Sequence, residues 1–225
     1  MSEQKKLIIV GDSAFAEVAY ECFTHDSDYE VVAFAVERDY LTKSELFGKP
    51  VIVVEDVVGL YPPSEYEFYA ALVYVQLNRL RTRLYKTFKS MGYRPASYVS
   101  SRAFVWRNVQ LGEHVFIFED NTVQPFCRIG DNVVLWSGNH IGHHSSIEKN
   151  CFIASHAVVS GFCTVGESSF VGVNATLSNN VTVGQDNWIG LGAVITRDTP
   201  PRTLYKGVQS VAADRSTFDY FKISE

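Results

Sequence analysis

Residues 127–165 read CRIGDNVVLWSGNHIGHHSSIEKNCFIASHAVVSGFCTV, and every sixth residue from Ile129 is aliphatic: Ile129, Leu135, Ile141, Ile147, Ile153, Val159 and Val165. The same step runs back to Val99 and forward to Ile195 without a break. Leu, Ile or Val occupies every position, far above their share of an average chain. A fixed short period is the signature of a solenoid, in which each repeat buries its apolar face only by stacking on its neighbours.

A second biased position lies two residues before each aliphatic. It holds Cys127, Val133, Asn139, Ser145, Cys151 and Ala157, mostly small residues. Residues two apart share a strand face, so each hexad reads as a short strand with one small and one large inward side chain. Glycine often follows the aliphatic, as at Gly112, Gly130, Gly142, Gly166 and Gly172, and is expected to supply backbone freedom at a corner. Three of the four cysteines, Cys127, Cys151 and Cys163, fall in the small inward slot. They read as small buried hydrophobes; a nucleophilic cysteine is the weaker reading. No C-x-x-C spacing points to a metal clip or a disulfide framework.

The chain has 225 residues, 46% apolar and 20% charged, with a net charge of −5. That balance is globular and lacks the basic stripe of a nucleic-acid binder. No apolar run reaches the roughly 18 residues of a membrane span, and the polar start, running directly into a strand, lacks a leader's apolar region. A cytoplasmic protein without nucleic-acid or membrane partners is expected.

Residues 1–94 lack the repeat. KLIIVG (6–11) reads as a strand, residues 13–23 as a helix, YEVVAFAV (29–36) and GKPVIVV (48–54) as strands, and residues 77–90 as a helix with a basic face. Alternating strands and helices predict a small parallel α/β unit. Gly92 and Pro95 punctuate its end, giving domains 1–94 and 95–225. GDSAFAE (11–17) stands at the phosphate-binding position of such a fold. With one glycine it is either a binding turn or a plain strand-to-helix connection.

The hexads resemble those of the bacterial hexapeptide-repeat acyltransferases. The pairing with a half-size α/β unit is similar to the amino-sugar acetyltransferases and sialic-acid acetyltransferase-like proteins among them. The resemblance implies an α/β N-terminal unit, Rossmann-like and holding a nucleotide-linked sugar, followed by a left-handed parallel β-helix. It also implies a homotrimer with sites between chains, and acetyl-CoA as co-substrate, with no metal. The family's turn reads G-x-S-G-H-x-K. Gly11 and Ser13 match it, whereas Ala14, Phe15 and Glu17 depart from it. The acidic residue after the second strand corresponds to Glu37 or Asp39. These residues are the substrate-binding candidates, together with His156.

Three histidines crowd NHIGHH (139–144). His143 matches the position of the family's proposed catalytic histidine, and His144 stands where Glu or Asp is usual. An imidazole is suited to removing one proton at neutral pH. With eighteen residues per coil, His143 is expected between Pro125 and Gly161, and His144 between Phe126 and Phe162. His143 is the expected base, with His144 its neighbour in the catalytic pair. An oxyanion donor is expected from a backbone N–H on an adjacent coil. For CoA, the resemblance implies an approach past Gly161, Gly172 and Ala193, with Arg197, Arg202 and Lys206 meeting phosphates; the three cations read equally well as a solvated tail. YKGVQS (205–210) is similar to the family's terminal loop, with Gln209 in place of Pro.

The expected activity is N-acetyl transfer to an amino group of a nucleotide-linked deoxysugar in glycan synthesis. O-acetylation of a sugar hydroxyl needs the same proton removal and is the nearest alternative. A zinc hydrase of the γ-carbonic-anhydrase type, using His143, His144 and His156, and a non-catalytic scaffold are the other readings.

Overall fold

The computed structural model describes residues 4–224. The first part is a sheet of strands β1 (Lys5–Val10), β2 (Tyr29–Val36), β3 (Glu45–Leu46), β4 (Lys49–Val53), β5 (Tyr66–Ala70) and β6 (Arg94–Pro95), in the order β3-β4-β2-β1-β5-β6. All neighbours are parallel except β3 and β4. Helices α1 (Ala14–His25), α2 (Val57–Leu60) and α3 (Arg79–Ser90) complete it. Strand β1 is apolar on both faces because both are covered. Leu7 and Ile9 pack with Phe15 and Phe23 of α1, while Ile8 and Val10 pack with Leu84 and Phe88 of α3.

From Tyr98 onward the chain is a left-handed parallel β-helix of two-residue strands on three faces. The first face runs from Tyr98–Val99 through Phe116–Ile117 and Val134–Leu135 to Leu204–Tyr205. The second runs from Phe104–Val105 to Val194–Ile195, and the third from Gln110–Leu111 to Thr182–Val183. Strands eighteen residues apart pair in parallel, as Phe116 does with Val134 and Val134 with Phe152. The inward aliphatics and small residues form one core along the axis. Polar members of the small slot are satisfied by the next coil: the Ser145 hydroxyl donates to Ser160 O at 2.8 Å and accepts from Cys163 N–H at 3.0 Å. The cysteine thiols donate to corner carbonyls, Cys127 to Gly142 O at 3.0 Å and Cys151 to Gly166 O at 3.2 Å. Burial pushes the Cys151 thiol up to about 12, which leaves it a poor nucleophile.

The corner glycines act differently from the expectation. The left-handed residue is the third after each aliphatic, as in His114 (φ 57), Asn132 (φ 56), His144 (φ 58) and Phe162 (φ 61). The glycines directly after the aliphatics are there for space. A Cβ on Gly130, Gly142 or Gly166 would stand 2.6 Å from a backbone nitrogen of the next coil, closer than real contacts allow.

The α/β unit covers the first face of the β-helix rather than one of its ends. The outward residues of that face are large and apolar: Tyr98, Phe116, Val134, Phe152, Phe170 and Trp188. The α/β unit buries this stripe. The first coil's Val99 and Leu111 stay 37% and 39% exposed, so that end has no lid from within the described chain.

Helix α3 seals the corner between the third and first faces. His114, Asn132, Asn150, Ser168 and Asp186 stand there, one coil apart. Arg79 pairs with Asp186, and Asn78 Nδ2 donates to Ser168 O and Ser169 O. Tyr85 and Lys89 both reach Glu113. Arg81 is wholly buried, although the sequence assigned α3 a basic outer face. Its Nε donates to Asn132 Oδ1 at 3.1 Å, and its Nη2 to both Asn132 O and Cys151 O at 3.0 and 3.1 Å. Because every acceptor is a neutral oxygen, desolvation lowers the Arg81 pKa to about 10, still charged at neutral pH.

Candidate functional site

Two sites emerge, one in each unit. The first lies where the strand order of the α/β sheet reverses, between β1 and its neighbours β2 and β5, beyond their carboxyl ends, the usual ligand crevice of open parallel sheets. A cavity of ≈ 220 Å³ opens there. Val10, Ala35, Val36, Leu72, Leu80 and Leu84 make it largely apolar. Gly11, Asp12, Ser13 and Glu37 form its polar rim. Gly11 has φ +111, and a Cβ there would stand 3.1 Å from Ala71 O, so this position requires glycine.

Of the expected residues, Gly11, Ser13 and Glu37 border the cavity and Ala14 opens the exposed first turn of α1. Phe15 does not face the cavity. Its ring is 2% exposed and packs 5.4 Å from Phe116 and 5.1 Å from Trp136. Where the family turn carries a polar residue, this chain has a domain anchor, because the apolar first face offers that side chain a partner. Asp39 lies exposed on a 3₁₀ turn (Arg38–Tyr40), outside the lining. Glu37 accepts two hydrogen bonds from Arg83 of α3, at 2.7 and 2.8 Å. These bonds hold its carboxyl below the usual range. On the opposite side Lys43 Nζ stands 3.4 Å from the Asp12 carboxylate and donates to Asp12 O at 3.0 Å.

The second site is the corner between the second and third faces of the β-helix. His143 and His144 are both exposed there. His144 lies between the rings of Phe126 and Phe162, with centroids at 4.6 and 4.8 Å and planes within 27° and 18°. His143 stands over Gly161: a Cβ there would be 3.1 Å from its Nε2. The two Nδ1 atoms are 3.2 Å apart. The backbone N–H of His143 is held by Gln124 Oε1 at 2.9 Å. These positions follow the eighteen-residue stacking expected of the sequence.

The CoA candidates separate. Stepping by eighteen from His143 gives Gly161, Asn179 and Arg197. Arg197 therefore stands three coils further along the same corner, about 14 Å at the usual strand spacing. Asn179, unnoticed in the sequence, accepts Gly161 N–H at 3.0 Å. That bond occupies the Gly161 N–H, and Phe162 N–H donates to His143 O at 3.0 Å, so neither is free as the expected oxyanion donor. Ala193 belongs to the axial core at 5% exposure, in the small inward slot, and offers no approach. Gly172 lies at another corner, packed on Leu191 N. Arg202, in left-handed conformation beside Gln185, lies on the α3 corner, and Lys206 lies beside Gly190. Only Gly161 and Arg197 share the corner of His143.

His156 is exposed one corner away, its ring over Gly138. The three histidines named for zinc are thus not gathered within one chain. Among the described residues no cluster of three His, Cys, Asp or Glu is placed to hold a metal. No described helix is long and apolar enough to cross a membrane. The sequence reading passed over His114. It is wholly buried; its Nε2 accepts Ala70 N–H at 2.8 Å and its Nδ1 stands 2.9 Å from Asn132 Oδ1.

Residues 126–161 match the family model for the bacterial transferase hexapeptide (six repeats). No curated protein matches the chain. Among solved structures, PerB from Caulobacter crescentus, in complex with CoA and GDP-perosamine, is 25% identical with TM-score 0.79 over 90% of this chain and 94% of that one. The acetyltransferase domain of PglB from Neisseria gonorrhoeae is 24% identical with TM-score 0.81, over 90% and 97%. WeeI from Acinetobacter baumannii is 18% identical with TM-score 0.59, over 90% and 97%. Both units therefore have counterparts in the same order: the chain carries the bacterial transferase hexapeptide repeat over residues 126–161, on a two-part fold shared with sugar acetyltransferases.

Proposed function

We propose that the chain transfers an acetyl group from acetyl-CoA to the amino group of a nucleotide-linked sugar, directly, with His143 as general base. The observation that carries this reading is the ring of His143, held through Nδ1 by His144 with Nε2 over the side-chain-free Gly161. If His143 Nδ1–H donates to His144 Nδ1, the Nε2 lone pair is bare. The acceptor amine attacks the thioester carbonyl carbon, and its proton passes to Nε2. The tetrahedral intermediate then collapses, the C–S bond breaks, and the CoA thiolate takes the proton from the imidazolium. No covalent enzyme intermediate is needed when both substrates are bound together. His144, clamped by two Phe rings, serves where a carboxylate would orient the base.

CoA in this reading runs along the corner from His143 past Gly161 and Asn179 toward Arg197, whose guanidinium suits a phosphate. Complexes of the similar Caulobacter enzyme contain CoA and GDP-perosamine, which supports a nucleotide amino sugar as the class of acceptor. The acceptor's nucleotide sits in the α/β cavity. That unit covers the face opposite the His143 corner, so a sugar held by one chain is acetylated by the histidine of a second copy. This supports a trimer with sites between chains.

The test is acetyl-CoA consumption by the purified protein with a panel of nucleotide-linked amino sugars. Turnover with an amino sugar, absent with its hydroxyl analogue, supports the reading. Turnover with the hydroxyl analogue alone replaces it by O-acetylation, and no consumption across the panel overturns it.

A further inference from the structure

The cavity in the α/β unit presents a charge problem. A nucleoside diphosphate brings two negative charges at neutral pH or more, and open α/β sheets usually meet them at the turn after the first strand. In this chain that turn contains no cation: it has Asp12 on the cavity rim and an exposed Glu17. The cation that pairs with Asp12, Lys43, is committed to it through both its carboxylate and its carbonyl oxygen. With Lys43 counted, the two carboxylates leave the turn net negative, which disfavours a diphosphate.

A cation stands beside the rim, just outside the cavity lining, at Glu37. Arg83 lies on α3 between Leu80 and Leu84, both of which wall the cavity. It grips Glu37, which lines the rim at the end of β2, through two parallel hydrogen bonds. A guanidinium has five N–H donors and two are used here. Three donors remain on a side chain that is about half exposed. Glu37 in turn keeps unused lone pairs on both oxygens. The pair is thus a compound element at one edge of an apolar slot, with acceptors for hydroxyls beside donors for an anion. It is also held rigid by α3, which Arg81 and Asn78 fix to the β-helix.

We infer that Arg83 is the diphosphate-recognition residue of the α/β cavity, taking over from beside its rim, at Glu37, the role that the Gly11–Glu17 turn is not charged to fill. The base enters the apolar slot, the ribose hydroxyls meet Glu37, and the diphosphate lies against the free edge of the Arg83 guanidinium. This inference rests on the proposed nucleotide-linked acceptor and assigns its recognition to a residue outside the turn.

The test is binding, so that it stands apart from catalysis. Affinities of GDP, UDP and dTDP, and of the matching nucleosides, are measured by calorimetry on the full-length protein, its Arg83→Gln variant and an Arg79→Gln control. Arg79 is on the same helix but pairs with Asp186 of the β-helix rather than with a residue that lines the cavity. At least one diphosphate should bind the unaltered protein more tightly than its nucleoside. Arg83→Gln should weaken that diphosphate about 10–100-fold, the usual cost of a charge-assisted contact. The nucleoside should be unaffected, and Arg79→Gln should bind as the unaltered protein does. Diphosphate affinity unchanged in Arg83→Gln, or no preference for any diphosphate over its nucleoside, overturns the inference. Either result leaves the acetyl-transfer reading to its own assay, since a protein that acetylates an amino sugar without gripping its diphosphate fails only here.

Discussion

His143 and His144 meet through their Nδ1 atoms, 3.2 Å apart, at a corner where one ring is open to solvent and the other is stacked between Phe126 and Phe162. Two adjacent residues of the same type thus have different duties, because one precedes and one occupies the left-handed position of the turn. His143→Ala is expected to lower kcat by about 10²–10⁴ with the fold unchanged by circular dichroism. His144→Ala removes an orienting partner and should cost roughly 10–100-fold, with a displaced pH profile. His144→Asn, which retains an acceptor, should recover part of it. Steady-state kinetics across pH separates the two roles, and equal losses in both variants with an unmoved profile contradict the assignment.

Gly161 leaves the space that the His143 ring uses. A Cβ there would lie 2.9–3.3 Å from three ring atoms. Gly161→Val should therefore displace the ring and lower kcat by at least about 10-fold, since a shift near 1 Å is enough for such losses. Thermal unfolding should change little, as the ring that must move, His143, is exposed. Unchanged kcat would mean that His143 does not act from this position.

Arg81 holds α3 to the β-helix through neutral acceptors in a wholly buried position. Arg81→Ala leaves those carbonyls unpaired and opens a cavity, and should cost about 3 kcal/mol or more. Denaturant unfolding followed by tryptophan fluorescence reports this, because Trp136 and Trp188 pack in the same interface. A loss below about 1 kcal/mol would show that the aromatic stripe alone holds the two units together.

His114 gives the interface a pH dependence. Burial and nearby Arg81 depress its pKa from 6.5 to about 3. The folded state thus keeps it neutral where the unfolded chain protonates it. The stability it contributes is complete above pH 6.5 and is lost as pH falls toward 3. The slope is about 1.4 kcal/mol per pH unit for one proton. Denaturation midpoints measured from pH 7 to pH 4 should fall accordingly, and His114→Gln should flatten the curve while lowering stability at pH 7. An equal slope in the variant would assign the acid sensitivity to other groups.

The repeat could be read from residue order because a six-residue period leaves no freedom. A slip of one residue turns every inward aliphatic outward, so the inward slots, the stacking partners of His143 and His144, and the buried cysteines all followed from counting. The face that the α/β unit covers left a trace that the sequence reading did not use, the large outward residues Phe116, Val134, Phe152, Phe170 and Trp188 spaced by eighteen. Ala193 shows the same rule in reverse: its place in the small inward slot already excluded it from a surface groove.

Other features depended on how distant segments meet. Phe15 became an interface anchor, Arg81 a buried strut and Arg83 a partner of Glu37 only when α3 and α1 were laid against the strands. Arg197, Arg202 and Lys206 are neighbours along the chain but went to three different corners, because a coil turns by a third with every hexad. Local order along this chain determined the fold and the row of side chains at each corner, since both are set by short-range periodicity. Which corner is covered, which is open, and which cation meets which carboxylate were decided by the packing of the α/β unit on the β-helix, whose contacts lie dozens of residues apart and leave no periodic trace.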